Sequence, residues 1–270
     1  MASTSRELAL LHARELVRDP KYFYFALFFP FGMLAIFLGL GLAMPKDSDA
    51  PDFLQLVFPM AIFLAVTSAA LTVTAGPLAN LRAKGTLRLL GTTPVGRARL
   101  VFTHMIARVL MVTAQAAVLL VLAVALGKVE PARLPALFGI ALLGLAMFGG
   151  IGYLIGGRLS SPDAATNVGT LVQLAALFLS GLAFPLELMP DAVRTTLSLL
   201  PTSFFADLML TQMSEGDPTH PAWLSVLVVA LTTAVAVVLA VRTFKWDQGE
   251  AAQARACDLI LQPCPTRKAP

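Results

Sequence analysis

Few residues of this 270-residue chain stand where chemistry could be done. His104 and Arg108 lie four apart, on one face of a helix. His12 and His220 fall too far away to complete a metal cluster with His104. Cys257 and Cys264 are the two cysteines, and a lone pair at that spacing is a weak metal signal. No Ser/His/Asp arrangement and no H-E-x-x-H helix occurs, so nucleophilic and zinc-peptidase chemistry lack carriers. No G-x-x-x-x-G-K-[ST] loop occurs, so ATP is expected to bind on another chain. The remaining polar groups in apolar surroundings are Gln115, Asn167, Thr170 and Gln173. Gln173 and Ser180, seven apart, share one helix face. They either line a mostly apolar path, suited to hydrophobic cargo, or make interhelical hydrogen bonds worth roughly 0.6–2 kcal/mol each. Arg108 either snorkels to the cytoplasmic surface or belongs to the path.

The elements that hold these residues are long and apolar. Hydrophobic residues form 57% of the chain and charged residues 13%. One soluble core could not hide so much apolar surface, whereas a bilayer accepts about 20 apolar residues per helical crossing. Six spans are expected at 24–43, 53–75, 101–126, 134–157, 166–183 and 223–241. They must be helices, because their length shows no period-two alternation and lipid offers the backbone no partners. Lys and Arg gather in the N-terminal tail, in 76–100, at Arg158 and in the C-terminal tail. Only Lys46, Lys128, Arg133 and Arg194 fall on the other side, where Asp47, Asp49, Glu130 and Asp191 also lie. Basic residues stay cytoplasmic during insertion, so both termini are expected inside, with no cleaved signal peptide. The net charge of +4 is accounted for by topology, and no nucleic acid is implied. Trp223, Phe244 and Trp246 fit an aromatic belt.

Three connecting segments carry pattern. Ala9, Leu10, Ala13, Leu16 and Val17 share a face, which predicts an interfacial amphipathic helix in residues 1–22, ended by Pro20. The cytoplasmic loop 76–100 predicts a short cationic helix over 81–90, with Ala83, Leu87 and Leu90 as its ridge and Lys84 and Arg88 beside it. Gly91 caps it and Pro94 stops it, and such a helix suits a protein groove. The external segment 184–221 is apolar but broken by Pro185, Pro190 and Pro201 into pieces too short to cross. Two short re-entrant helices are expected, with Glu187 and Asp207 near their rim; a loop packed over the spans is the alternative. Gly152 and Gly156 form a G-x-x-x-G for close packing, within the chain rather than between chains. Residues 247–270 read as a disordered tail.

The run Lys84-Gly85-Thr86-Leu87 with Leu90 and Thr93-Pro94-Val95 resembles the first cytoplasmic loop of ABC-2 type exporter permeases, of which daunorubicin-type drug exporters are an example. Ser180-Gly181, Phe184-Pro185-Leu186-Glu187, Met189-Pro190 and Leu200-Pro201 resemble that family's segment between its last two spans. Arg18-Asp19-Pro20 matches before the first span. Ala83 and Arg88 depart from the family, which carries acids there. The resemblance implies an all-α integral membrane permease over 23–246 that does no chemistry itself. A separate ATPase subunit would carry ATP and Mg, and no cofactor would sit on this chain. Lys84, Gly85, Thr86, Leu87, Leu90 and Pro94 would couple the two. A second permease protomer, identical or similar, would meet the first and fifth spans, with the substrate path between protomers. A non-transporting membrane scaffold remains the alternative, and an ion-coupled carrier is disfavoured because no acidic or histidine relay lies at depth.

Overall fold

The computed structural model describes residues 20–43, 53–84, 97–183, 190–213 and 219–243. Among the described residues the secondary structure is helical, with no strand. In chain order the elements are α1 (Pro20–Ala43), α2 (Phe53–Thr67), a π-helical turn (Ser68–Thr72) and α3 (Val73–Ala83). Then follow α4 (Arg97–Ala125), a 3-10 turn (Pro131–Arg133), α5 (Leu134–Arg158) and α6 (Pro162–Leu179). The chain continues with α7 (Asp191–Ser198), α8 (Pro201–Met213) and α9 (Ala222–Thr243). Helices thus occupy all six stretches read as spans. Four stretches, Val57–Ala83, Arg108–Ala125, Pro131–Arg158 and Ala222–Arg242, are long and apolar enough to cross a membrane. The apolar run in α1, Leu27–Gly39, is shorter. Asn167 and Gln173, with Thr166 and Thr170, dilute α6.

The second span differs most from the sequence expectation. Gly76 and Pro77 do not end it: α2, the π turn and α3 form one continuous rod to Ala83. Leu81–Ala83 are therefore the last turn of α3 and Lys84 is its C-cap, so no separate helix begins at 81. A proline is tolerated inside a helix when another group takes the carbonyl it abandons. The fifth span also shifts. It begins at Pro162, after the Ser161 cap whose hydroxyl accepts from the Ala164 N–H. It stops at Leu179, because Gly181 takes φ +83° beyond the Ser180 C-cap. Of the interfacial helix expected in residues 1–22, residues 1–19 lie outside the described residues, as does the tail with Cys257 and Cys264, whereas Pro20, Lys21 and Tyr22 form the first turn of α1.

The rod α2–π–α3 is the centre of the fold, with residues 57–76 buried throughout. Helices α1, α4, α5 and α8 pack on α2, and α5 and α6 pack on α3. Glycines allow the closest approaches. A Cβ on Gly152 would collide with the Ala70 carbonyl oxygen, and one on Gly156 would lie 2.7 Å from that of Ala75. The G-x-x-x-G therefore packs within the chain. Gly169 of α6 faces the Leu71 carbonyl in the same way, at 3.2 Å. The outward faces carry Leu110, Val118 and Val121 on α4, Leu171 and Phe178 on α6, and Leu227, Leu231 and Val235 on α9. Such continuous apolar faces suit lipid. Trp223 is 69% exposed at the start of α9, where a membrane-interface anchor belongs.

Candidate functional site

Several of the polar groups inside the bundle serve the central rod. Pro77 has no N–H, so the Val73 carbonyl, four residues earlier, lacks its helical donor. Arg108 supplies one: its Nη2 donates to Val73 O at 2.9 Å. Arg108 is only 1% exposed, so it does not snorkel. Charge at this depth is held by backbone oxygen, since a buried cation must find acceptors. A hydrogen bond with a charged donor is worth about 1.5–3 kcal/mol, enough to fix α4 against α3.

A second arginine works at the end of the same rod. Arg82 reads in the sequence as one more cytoplasmic surface cation. In the structure it is 5% exposed, and Nη1 donates to Gly156 O at 3.0 Å and to Leu159 O at 3.2 Å. The Gly156 carbonyl belongs to the last turn of α5 and Leu159 is that helix's C-cap; carbonyls there lack intrahelical donors and carry the negative end of the helix dipole. Arg82 caps α5 from α3. No local pattern marks either arginine, because the partners are backbone atoms tens of residues away.

The π turn is gripped as well. Thr72 Oγ1 donates to Gln173 Oε1 at 3.1 Å, and Thr74 Oγ1 to Ala69 O at 2.9 Å. Gln173 and Ser180, the candidate path-lining pair, are both buried within the protomer. Ser180 Oγ donates to Leu177 O at 2.8 Å. Their shared face turns toward the rod, and the opposite face of α6 is exposed. Gln115 on α4 donates to Leu27 O of α1 at 3.2 Å, one turn before Pro30.

Of the expected coupling residues, Lys84 is described: it is exposed, and its N–H donates to Asn80 O at 2.9 Å. Gly85, Thr86, Leu87, Leu90 and Pro94 lie outside the described residues, as do Pro185 and Glu187. In the segment expected to be external, Pro190 is the N-cap of α7 and Pro201 opens α8. These are two short helices, as the proline spacing predicts. Residues 191–196 of α7 are exposed, whereas α8 is sunk in the bundle. Phe205 of α8 meets Phe63 and Phe148, with ring centroids 5.5 and 5.8 Å away. Ser203 Oγ lies 2.7 Å from Leu197 O and 3.1 Å from Leu179 O, tying α8 to α7 and α6. Asp207 is buried and does not sit at a rim. It accepts from the N–H groups of Thr219 and His220 at 3.1 and 2.8 Å, and its Oδ2 lies 3.1 Å from His220 Nδ1. It thereby pins the approach to α9. Arg133 Nη1 donates to Gln212 O at 3.3 Å, near the end of α8. Among the described residues no three His, Cys, Asp or Glu side chains converge to hold a metal.

Two comparisons bear on this arrangement. A search of curated proteins finds no match. The family model described as "ABC-2 family transporter protein" matches residues 42–242, from the end of α1 to the last turn of α9. That is well over half of the chain, and it takes in the whole rod, both buried arginines and the two short helices. The chain therefore belongs to the ABC-2 family of transporter proteins, as a multi-pass membrane permease of an ABC transporter.

Proposed function

We propose that this permease forms the substrate path of an ATP-driven exporter. In this reading it crosses the membrane six times, with both termini in the cytoplasm of a cell whose plasma membrane holds it. A separate ATPase subunit binds ATP and Mg, and it docks on the segment after Lys84 through Gly85, Thr86, Leu87, Leu90 and Pro94. One observation carries this: the rod at the centre of the fold ends at exposed Lys84, the first residue of that segment. A partner that grips the segment pulls directly on the core. A second protomer, identical or similar, meets the outward faces of α1 and α6, which expose Phe28 and Ile36, and Leu171 and Phe178. The path runs between the protomers, and Gln173 and Ser180 brace α6 from behind. The segment with α7 and α8, entered through Pro185 and Glu187, dips into the outer leaflet and closes the path outside.

The test is the double variant Leu87→Asp with Leu90→Asp. A carboxylate on each ridge position should release the ATPase while the spans stay folded. Loss of the co-purified ATPase, with an unchanged elution volume of the permease, is the expected result. An intact ATPase complex would overturn the docking site.

A further inference from the structure

Two of the chain's buried side chains are arginines that bond to backbone on helices other than their own, and both act on α3. Arg108 reaches from α4 to the Val73 carbonyl. Arg82 reaches from α3 to Gly156 O and Leu159 O, at the C-terminal end of α5. The two bonds lie at opposite ends of α3, one at its first residue and one at its penultimate residue. Between them α3 presents Ala75 to Gly156, with no room for a side chain. Upstream of Val73 lies the π turn, where one helical turn is widened and Val73 N–H donates to Ser68 O. Such a turn is a place where a rod can change register.

We propose that Arg82 and Arg108 are positioning residues that make α3, α4 and the cytoplasmic end of α5 move as one body, so that a pull on the segment after Lys84 is passed to the spans. The choice of acceptor points to transmission and not only to stability. A charged donor on the terminal carbonyls of α5 holds the end of that helix itself, at the turn that leads into α6. An apolar side-chain contact can slide, whereas Arg82 Nη1, donating to both Gly156 O and Leu159 O, holds the backbone of the α5 terminus at two points. Pro77 explains why Arg108 is needed. It leaves Val73 O without its helical donor, so the bond from Arg108 takes the place of the missing one. The π turn then becomes the hinge at which this body flexes against α2. The transmission rests on the exporter reading above; the two ties do not.

Two measurements test the proposal, and they fail separately. The first needs no partner. Arg108→Met is expected to lower the melting temperature of the detergent-solubilised protein by about 5 °C when Pro77 is present. With Pro77→Ala, residue 77 regains its N–H and Val73 regains its donor, so the same substitution should cost less than half as much. Equal losses in both backgrounds would overturn the tie. The second uses the full complex with its ATPase. Ser160→Cys, in the exposed turn just after Leu159, carries a nitroxide, with Cys257→Ser and Cys264→Ser. Pulsed EPR reads the distance between the labels of the two protomers, with and without ATP plus vanadate. The wild-type distance should shift on trapping nucleotide. In Arg82→Met the ATPase should still bind and trap nucleotide while the shift falls below about a third of wild type. Arg82→Lys keeps a cation that can reach one carbonyl, and should restore part of it. An undiminished shift in Arg82→Met would overturn the proposal. A wild-type complex with no shift, or with no bound ATPase, would overturn the transmission together with the exporter reading, and the melting cycle would still decide the Arg108 tie.

Discussion

Gly152 and Gly139 lie on the same helix and face opposite demands. A Cβ at 152 meets the Ala70 carbonyl oxygen, a backbone atom that cannot rotate away, whereas a Cβ at 139 has nothing within 4 Å. Gly152→Leu should therefore cost about 3 kcal/mol or more, and the expected readout is loss of the monodisperse peak in detergent. Gly139→Ala should be neutral or stabilise by up to about 1 kcal/mol, since it removes backbone freedom from the unfolded chain and costs no contact. Thermal unfolding followed by size exclusion checks both. Phe205→Ala should cost about 3–5 kcal/mol by the same assay, because its ring fills the space between Phe63 and Phe148. Leu171→Ala, on the exposed face of α6, should cost far less. At this scale the sequence is an uneven guide. The spacing of Gly152 and Gly156 announced close packing, because small residues four apart have few other uses in a span. Arg82 gave no such sign. A cation in a basic stretch looks like a surface residue until the carbonyls it caps are placed beside it.

At the scale of elements, the rod α2–π–α3 sets the problem and its neighbours solve it. Pro59 and Pro77 each remove a hydrogen bond from the rod, and the π turn lies between them. Deleting Ala69 would turn the wide turn into an ordinary one, four residues at about 100° each replacing five more widely wound, so α3 would keep nearly its rotation relative to α2. The Phe63–Phe148 contact and the Arg82–Gly156 bond could then both form. The deleted protein should keep a monodisperse peak, and loss of that peak would show that the π turn itself is needed for folding. The short helices follow from proline placement, which the sequence made visible at Pro190 and Pro201. Their burial was less visible. Helix α8 is less apolar than α6 or α9, and only the aromatic cluster and the Ser203 bonds show that it sits inside the bundle. Asp207 belongs to the same element. Asp207→Asn keeps one acceptor oxygen where two N–H groups bind, so about 1–3 kcal/mol of stability should be lost. Faster proteolysis between α8 and α9 would be the accompanying sign.

For the whole molecule the decisive quantity is the side on which each loop lies. With the native cysteines replaced by serine, an impermeant maleimide should label Ala132→Cys on intact cells and Lys84→Cys only after permeabilisation. Labelling of Lys84→Cys from outside would invert the topology and remove the docking segment from any cytoplasmic partner. The sequence alone determined that the chain is helical and membrane-embedded, where its apolar stretches lie and which family its motifs resemble. These are matters of length, composition and charge along the chain, and a bilayer reads them nearly one helix at a time. Tertiary structure decided the rest. Gly76 and Pro77 could be read as a break until Arg108, from another helix, was seen to fill the missing bond. Gln173 could face a path or a neighbour until Thr72 was found opposite it. Which face of a helix turns inward, and which carbonyl receives a distant guanidinium, depends on packing between segments far apart in sequence, and no local pattern encodes that.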